Sequence, residues 1–562
     1  MTGYERPVPT VGDPTSAAAR AADPTAWAFG KDTVEALHQV IGARRDVRRF
    51  RPDPVPPEVL RRVLGAAHGA PSVGHSQPWR FIVVTEQATR DRAALLADRE
   101  RLRQADQLTS ERRARLLDLQ LEGIREAPVG IVVACDRRAP AAGVLGRATY
   151  PDSDLWSCAA AIQNLWLAAR ADGLGMGWVT LFRPPDIAGL LGLPDGVATL
   201  GWLCLGWPDE RPPEPGLERH GWSKRLSLDE VVLAERWPAE DGPTPPVSHL
   251  AGPEQEAVVA ARDTGDDLLA VPGSLGVLDA AVNRALALGA APTTGTLVVA
   301  AADHPVAALG VSAYPPSVTA DVVAATRAGV SLGAATAAAA GLQVECVVAT
   351  PTGPQGDLVT ADALTITDVN TLVAQGENLG RQLGQHGLVC LGEVGIGNTT
   401  VAAALACALL GLTPDQAVGL GAGADTAMLQ RKREVVAAAL ARVGGESDPL
   451  RLLAALGGGE VALLAGVTLG AAAAGVPVVL DGLVTSVAAL LAVRLEPAVQ
   501  SVLIAGQQSR EVAHAAVLTE LGLEPLLQLR LRAGEGVGAA LAAQLLLTAL
   551  RAREATARVT AR

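Results

Sequence analysis

The segment ARRDVRRF, residues 43–50, places four arginines within one and a half helical turns. They are Arg44, Arg45, Arg48 and Arg49. Guanidinium groups bind phosphate through paired hydrogen bonds, so the cluster predicts a site for a phosphorylated ligand. A basic helix end facing solvent would explain the same arginines without a ligand. Asp46 stands between Arg45 and Arg48, which predicts a lowered pKa and an ionised carboxylate that can accept a proton.

A second segment, GEVGIGNTT at residues 392–400, has the composition of a loop that binds phosphate. Its three glycines free the backbone, and Asn398 or Thr399 could cap the helix that follows. The amide groups at such a helix start form an anion site. Glycine-rich turns between strands and helices also occur where no phosphate binds, so the loop alone leaves both interpretations open.

Two patterns of secondary structure must position these segments. Residues 32–237 alternate amphipathic helices with short β-branched runs, which predicts an α+β fold. Those strand candidates are RFIVVT (80–85), VGIVVACD (129–136), MGWVTLF (176–182) and ATLGWLCLG (198–206). Residues 257–562 alternate helices with buried strands, which predicts a parallel α/β sheet with ligands at the carboxyl ends of its strands. These candidates are TLVVAAAD (296–303), LQVECVVAT (342–350), LVCLGE (388–393), PVVLDG (477–482) and SVLIAG (501–506).

The aromatic residues divide the chain at about residue 238, since all nine Trp and all four Phe precede it. The segment that follows is rich in Pro, Gly and acidic residues, which indicates a linker. We therefore predict a domain boundary there. The predicted parts are a flexible tail over 1–31, a first domain over 32–237, a linker over 238–256 and a second domain over 257–562.

The composition argues against several partners. A net charge of −12 offers no basic surface for nucleic acid. The six cysteines form no CxxC pair and no two histidines have ligand spacing, so we predict no metal site. The uncharged run 461–480 is interrupted by Gly475 and Pro477, which favours a buried helix followed by a strand over a membrane span. The N-terminus lacks the apolar run of a signal peptide, so we expect a cytoplasmic protein.

Four longer segments of the first domain carry a resemblance to known proteins. They are AAHGAPSVGHSQPW (66–79), LEGIREAPVGIVVACDR (121–137), VLGRATYPDSDLWS (144–157) and IQNLWLAARADGLGMGWVTLF (162–182). With RRDVRRF, they resemble the nitroreductase-like flavoproteins, and more closely 5,6-dimethylbenzimidazole synthase, which breaks reduced FMN with molecular oxygen. The resemblance implies a nitroreductase-like flavin fold, reduced FMN consumed as a substrate, oxygen as co-substrate, a flavin reductase or other electron donor, and a homodimer with FMN at its interface.

The same resemblance implies roles for residues of the first domain. Asp46 stands where ordinary nitroreductases carry Ser, and it would accept a proton near the flavin; alternatively, it only orders the arginines. Thr180 stands where the synthase has a functional Ser. The implied FMN-binding residues are Arg44, Arg45, Arg48, Ser72, Gln77 and Arg225. His75, Ser76 and an RRDVRRF loop one residue shorter depart from the family pattern.

Segments at 303–319, 419–436, 455–482 and 521–542 resemble nicotinate-nucleotide:dimethylbenzimidazole phosphoribosyltransferase. Such enzymes convert nicotinate mononucleotide and dimethylbenzimidazole to nicotinate and α-ribazole phosphate, which becomes the lower ligand of cobalamin. The benzimidazole nitrogen must lose a proton, and the resemblance implies Glu535 as its base, with Glu393 orienting the ribose or the base. The implied substrate-binding residues are Ser312, Tyr314, Gly395, Gly397, Asn398, Thr399, Lys432, near the phosphate, and Ser509.

Four positions depart from the transferase pattern at the pocket for the aromatic base or at its rim. Pro305 stands in place of Gly, Asp321 in place of Gln, and Gly506 and Gln507 in place of a Ser-His pair. The phosphate loop and the acidic residues are kept. We therefore expect an active transferase with an altered choice of base.

Taken together, the two resemblances predict a bifunctional enzyme, because the product implied for the first domain is the substrate implied for the second. Two alternatives stay open. The first domain could be an FMN-dependent NAD(P)H reductase that keeps its flavin intact. The second domain could bind dimethylbenzimidazole without catalysis.

Overall fold

A computed structural model describes residues 15–118, 123–237, 247–419 and 425–559. The chain forms two compact units, Trp27–Gly242 and Pro243–Arg562, and the second also includes Met1–Ala26. Residues 238–246 of the predicted linker and 420–424 of one transferase-like segment lie outside the described residues.

The described part of the predicted flexible tail is partly helical. Helix α1, Ala17–Ala22, is capped by the Ser16 side chain. The Ala17 amide donates to Asp267 Oδ1 at 3.2 Å, which places α1 on the second unit. Residues 1–14 lie outside the described residues.

The first unit is an antiparallel sheet covered by helices. Its strands are β1 (Trp79–Val84), β2 (Val129–Asp136), β3 (Gly175–Val179) and β4 (Val197–Gly206), in the order β1-β2-β4-β3. Its helices are α2 (Lys31–Ala43), α3 (Pro57–His68), α4 (Gln87–Asp106), α5 (Ser110–Asp118), α6 (Ser153–Ala171), α7 (Pro184–Leu191), α8 (Gly216–Arg219) and α9 (Leu228–Val231). Helix α6 buries an apolar face against the sheet, so the helical spacing read in the sequence forms the core.

The second unit is a parallel sheet with helices on both faces. Its strands are β5 (Gly295–Ala301), β6 (Gln343–Val348), β7 (Leu388–Val394), β8 (Val478–Leu480) and β9 (Leu503–Ala505), in the order β6-β5-β7-β8-β9. Its helices are α10 (Gln255–Asp266), α11 (Val277–Ala287), α12 (Val318–Arg327), α13 (Leu332–Ala339), α14 (Ile366–Gly384), α15 (Asn398–Leu410), α16 (Pro414–Ala417), α17 (Thr426–Val443), α18 (Pro449–Leu456), α19 (Gly459–Ala473), α20 (Leu483–Leu495), α21 (His514–Glu520) and α22 (Val537–Ala555).

Burial on both faces explains the nearly continuous apolar runs of these strands. Alternate residues of β5 and β7 enter two different clusters, one on each face of the sheet. The apolar run at 461–480 divides into α19 and β8, as the sequence predicts. Among the described residues, Val318–Ala339 is long and apolar enough to cross a membrane, but residues 328–331 separate α12 from α13 within it.

Candidate functional sites

In the first unit, the arginine-rich segment lies along strand β3. The Val47 amide donates to Met176 O at 2.9 Å, and Asp46 forms a parallel bridge with the same residue. Gly177 makes this approach possible, because a Cβ atom there would collide with Val47 O and lie 3.1 Å from Arg48 Nη1. The sequence signal for this contact is the run GLGMG, of which Gly175 and Gly177 lie on the edge strand β3.

Asp46 meets two hydrogen-bond donors at this edge. The Trp178 amide donates to its Oδ1 at 3.1 Å, and Arg48 Nη2 pairs with its Oδ2. Burial raises the pKa of Asp46, while Arg48, the Trp178 amide and Arg44 oppose the increase. The side chain is 43% exposed, and solvent there limits the increase.

The sequence-based prediction of a lowered pKa for Asp46 is therefore wrong. One reason is desolvation, which a sequence does not display. Another is Arg45, whose Nη atoms donate to three carbonyl oxygens and not to the carboxylate. Those oxygens belong to Gly42 (2.7 Å), Arg44 (2.8 Å) and Pro213 (2.8 Å).

The other predicted FMN-phosphate arginines differ in their surroundings. The Arg44 guanidinium lies over the Trp166 ring, 4.6 Å from its centre. Arg48 Nη1 is buried and has no hydrogen-bond partner among the described residues. Arg225 is exposed in the segment between α8 and α9. Next to Asp46, Arg48 Nη1 and Arg45 Nε are therefore buried donors without a partner among the described residues.

Ser72 and Gln77 form a turn before β1. The Gln77 amide donates to Ser72 Oγ at 3.0 Å, and Gln77 has a φ of 47°. Gln77 lines a cavity of about 440 Å³ with charged side chains, including Arg80, Asp136 and Arg147. Thr180 directly follows β3 and is exposed. The structure thus pairs Ser72 with Gln77 and Asp46 with Arg48, without a described contact between the two pairs.

In the second unit, one cavity of about 980 Å³ collects most of the predicted site residues at the carboxyl end of the parallel sheet. Those that line it are Tyr314, Glu393, Gly395, Asn398, Thr399, Ser509 and Glu535. Ser312, Gly397 and Lys432 are not lining residues. Ser312 Oγ accepts from the Tyr314 amide at 3.2 Å, and Lys432 Nζ lies 3.5 Å from Thr399 Oγ1. Lys432 is 4% exposed, and burial lowers its pKa against the opposing charge of Glu511.

The glycine loop ends differently from the sequence prediction. Helix α15 begins at Asn398, and Gly397 takes the cap position with a φ of 101°, which a glycine adopts without strain. Neither Asn398 nor Thr399 caps the helix. Asn398 Nδ2 instead donates to Glu393 Oε2 across the loop.

Two of the predicted acidic residues, Glu393 and Glu535, are joined through their backbones. The Glu535 amide donates to Glu393 O at 3.1 Å, and Glu535 Oε2 accepts from the Gly333 amide at 3.0 Å. Glu535 holds a φ of 59°, an uncommon conformation for a residue with a side chain. Burial raises the pKa of Glu393 to about 8, and Asp481 and other acidic neighbours add to the increase. The hydrogen bond from Asn398 lowers this pKa and so opposes them.

Asp481 is a cavity residue that the sequence reasoning missed. It follows β8, is 2% exposed, and its Oδ1 accepts from the Gly538 amide at 2.8 Å and from Gln507 Nε2 at 3.0 Å. Burial raises its pKa to about 7. The available signal was its position in PVVLDG, an acid directly after a buried strand, as Glu393 is in LVCLGE.

Of the four departures from the transferase pattern, Gln507 is the one that lines the cavity. Asp321 is exposed on α12, and Pro305 begins a short 3-10 helix. Gly506 packs closely on Leu480 O, since a Cβ atom would lie 2.5 Å from it. Within the described ranges, no group of three or more His, Cys, Asp or Glu could hold a metal ion.

The fold and the cavities define an enzyme of two units, one with a nitroreductase fold and one with a phosphoribosyltransferase fold. Residues 250–561 match the family described as Phosphoribosyltransferase, and residues 41–207 match the Nitroreductase family. The chain belongs to the phosphoribosyltransferase family and carries a nitroreductase-family domain before it. These matches confirm the predicted fusion and both predicted folds.

Each half of the chain matches known proteins over almost the whole length of those proteins. The first half is 44% identical to 5,6-dimethylbenzimidazole synthase of Rhodospirillum rubrum over 35% of this chain and 91% of that protein. The second half is 39% identical to nicotinate-nucleotide–dimethylbenzimidazole phosphoribosyltransferase of Xanthomonas axonopodis pv. citri over 53% of this chain and 92% of that protein. It also matches the crystal structure of CobT from Thermus thermophilus, with 38% identity and a TM-score of 0.51. That match covers 53% of this chain and 96% of the CobT chain.

Proposed function

We propose that this chain carries out two consecutive steps in the synthesis of the cobalamin lower ligand. The first unit would cleave reduced FMN with oxygen to 5,6-dimethylbenzimidazole. The second would transfer phosphoribosyl from nicotinate mononucleotide to that base, giving α-ribazole 5′-phosphate and nicotinate. One observation carries the proposal: the relatives of the first half are named for making dimethylbenzimidazole and those of the second for using it.

The donors and the carboxylate at the edge of β3 support a site for part of a flavin nucleotide. Bound FMN would bring the ring system that is both the redox group and the source of the product. Arg48 Nη1, a buried donor without a partner among the described residues, would bind an oxygen of that ligand. Asp46, already in contact with Arg48 and 43% exposed, would take up a proton there. Thr180 follows the same strand and would contribute a hydroxyl group.

The large cavity supports the transferase step. Nicotinate leaves from a pyridinium, so breaking its bond to the ribose needs little assistance, whereas the attacking benzimidazole nitrogen must lose a proton. Glu535 would accept that proton as the new nitrogen–carbon bond forms. Glu393, with a pKa of about 8, would orient the ribose or the base and could share the proton. The amides at the start of α15, together with Lys432, would bind the nucleotide phosphate.

We also propose that the protein is a cytoplasmic homodimer that depends on a separate flavin reductase or other electron donor. Helix α2 supports the dimer, because none of its residues is buried although one of its faces is apolar. Val34, Leu37 and Ile41 on that face are 43%, 54% and 46% exposed. Analytical ultracentrifugation tests this: a monomer at micromolar concentration would contradict it.

A coupled assay tests the proposed function directly. The full chain would be supplied with chemically reduced FMN, oxygen and nicotinate mononucleotide, and α-ribazole phosphate and nicotinate would be measured by mass spectrometry. We expect both products in air. Under nitrogen, product should form only after dimethylbenzimidazole is added. Intact FMN after aerobic turnover would indicate a reductase, and no nicotinate release with added base would indicate a non-catalytic binding domain.

A further inference from the structure

A buried ion pair lies directly behind the glycine loop of the second unit. His304, which follows β5, and Glu460, the second residue of α19, approach to 3.0 Å between Nε2 and Oε1. The two side chains are 3% and 0% exposed, and neither residue lines the large cavity. No other described residue donates a hydrogen bond to the Glu460 carboxylate, so His304 is its compensating group.

The imidazole of His304 is packed between two glycines. A Cβ atom at Gly395 would lie 2.7 Å from its Nε2, and a Cβ atom at Gly458 would collide with its Cε1. Gly397 also contacts this residue, since its Cβ atom would lie 3.6 Å from His304 Cβ. The Ala302 amide, two residues before His304, donates to Val394 O at 3.1 Å. The backbone of the loop therefore rests on the ion pair and on the strand that carries it.

We propose that the His304–Glu460 ion pair is a positioning device that holds the glycine loop 395–397 at the geometry needed to bind the nucleotide substrate. This inference rests on the proposed transferase function. Both residues act through the loop, because neither faces the cavity. Loss of the pair would leave one charged or polar group buried without a partner and would let the loop and the start of α15 shift.

The electrostatics link the ion pair to Glu393. Burial alone would lower the pKa of His304, but the Glu460 carboxylate, with a smaller contribution from Asp303, raises this pKa. Glu460 in turn helps to raise the pKa of Glu393, as do Asp481 after β8 and Glu535 before α22, while Asn398 opposes them. Removing the charge of Glu460 should therefore lower the pKa of Glu393.

The test uses Glu460→Gln in the full chain, with Glu496→Gln as the matched control. Glu496 is a partly buried carboxylate that accepts from Ser248 and the His249 amide, away from the loop. We expect Glu460→Gln to raise KM for nicotinate mononucleotide at least tenfold, with a smaller change in kcat, since displacements near 1 Å cost about 10²-fold. The pH midpoint of the transferase rate should move to lower pH. Glu460→Asp, which keeps the charge, should recover part of the loss.

A second measurement does not depend on activity. Hydrogen exchange of the peptide covering 392–400 should become faster in Glu460→Gln and stay unchanged in Glu496→Gln. Unchanged exchange and KM in Glu460→Gln would overturn the positioning role. If the wild-type chain shows no transferase activity, the proposed function fails, and the exchange data still decide whether the pair holds the loop. If Glu460→Gln does not fold, His304→Asn is tested in its place. If neither variant folds while Glu496→Gln does, the pair is needed for folding alone, and the proposed positioning role is overturned.

Discussion

At the scale of single residues, the surroundings of each carboxyl group decide when it can take up a proton. Asp46 has a cationic and an amide donor, and part of its surface meets solvent. Glu393 is buried beside several acidic neighbours and has one neutral donor, Asn398, so burial and these neighbours raise its pKa to about 8. At neutral pH Glu393 is thus largely protonated, whereas at Asp46 the Arg48 guanidinium opposes the rise in pKa that burial causes.

Replacement of Asp46 by Asn should separate the two proposed steps. Asparagine can still accept from the Trp178 amide but cannot form the ion pair or take up a proton. We expect dimethylbenzimidazole formation to fall by roughly 10²- to 10⁴-fold, the usual contribution of a positioned proton acceptor. Nicotinate release with added dimethylbenzimidazole should not change. Asp53→Asn, at an exposed pair with Arg51, is the control. A fall of only a few-fold in Asp46→Asn would mean that Asp46 merely orders the arginines.

Asp481 should make the stability of the second unit depend on pH. Its folded-state pKa of about 7 lies above the usual value of 3.8, so its contribution is fully present below about pH 4 and is lost as the pH rises towards 7. Relative to wild type, Asp481→Asn should gain on the order of 1–3 kcal/mol between pH 5 and pH 8.

Urea unfolding followed by circular dichroism measures this effect. Because every Trp lies before residue 238, tryptophan fluorescence reports the first unit separately. Asp415→Asn serves as the control, since that cavity residue is 76% exposed. Parallel pH profiles for wild type and Asp481→Asn would contradict the prediction.

At the scale of elements, strand ends and glycines place the chemistry. In the second unit, two acidic residues of the cavity stand at strand ends: Glu393 is the last residue but one of β7, and Asp481 directly follows β8. Parallel strands bring their carboxyl ends to one edge, so this part of the site follows from the topology. In the first unit, the arginine-rich segment depends on close contact with β3, which Gly177 permits.

Replacement of Gly177 by Ala should detach that segment from β3. The new methyl group would collide with Val47 O and crowd Arg48, and overpacking of this kind typically costs about 1–3 kcal/mol. We expect the affinity for FMN, measured by quenching of flavin fluorescence, to fall at least tenfold. Gly189→Ala in α7 is the control, because nothing lies within 4 Å of its added Cβ atom. Equal FMN affinity in both variants would show that the segment does not bind the flavin.

At the scale of the whole molecule, the chain unites two activities that its relatives carry on separate proteins. If each unit works independently, an equimolar mixture of Asp46→Asn and Glu535→Gln should form α-ribazole phosphate from reduced FMN, oxygen and nicotinate mononucleotide. Neither variant alone should do so. Mass spectrometry of the mixture measures this, with added dimethylbenzimidazole as a check on each variant. No product from the mixture, with both remaining activities intact, would mean that the two steps must occur on one chain.

The sequence by itself determined the two fold classes, and it named seven residues that line the large cavity. Apolar periodicity and strand-end position are local properties, and Glu393, Asn398 and Glu535 stand at such positions in the printed sequence. Tertiary structure alone decided the direction of the Asp46 pKa, the role of Asn398 as a donor and the inclusion of Asp481. The pKa of Asp46 depends on desolvation and on Trp178, 132 residues away. Asp481 depends on burial and on Gln507 and Gly538 from later elements, and the donor role of Asn398 depends on how the loop turns back to Glu393. No local pattern records these contacts.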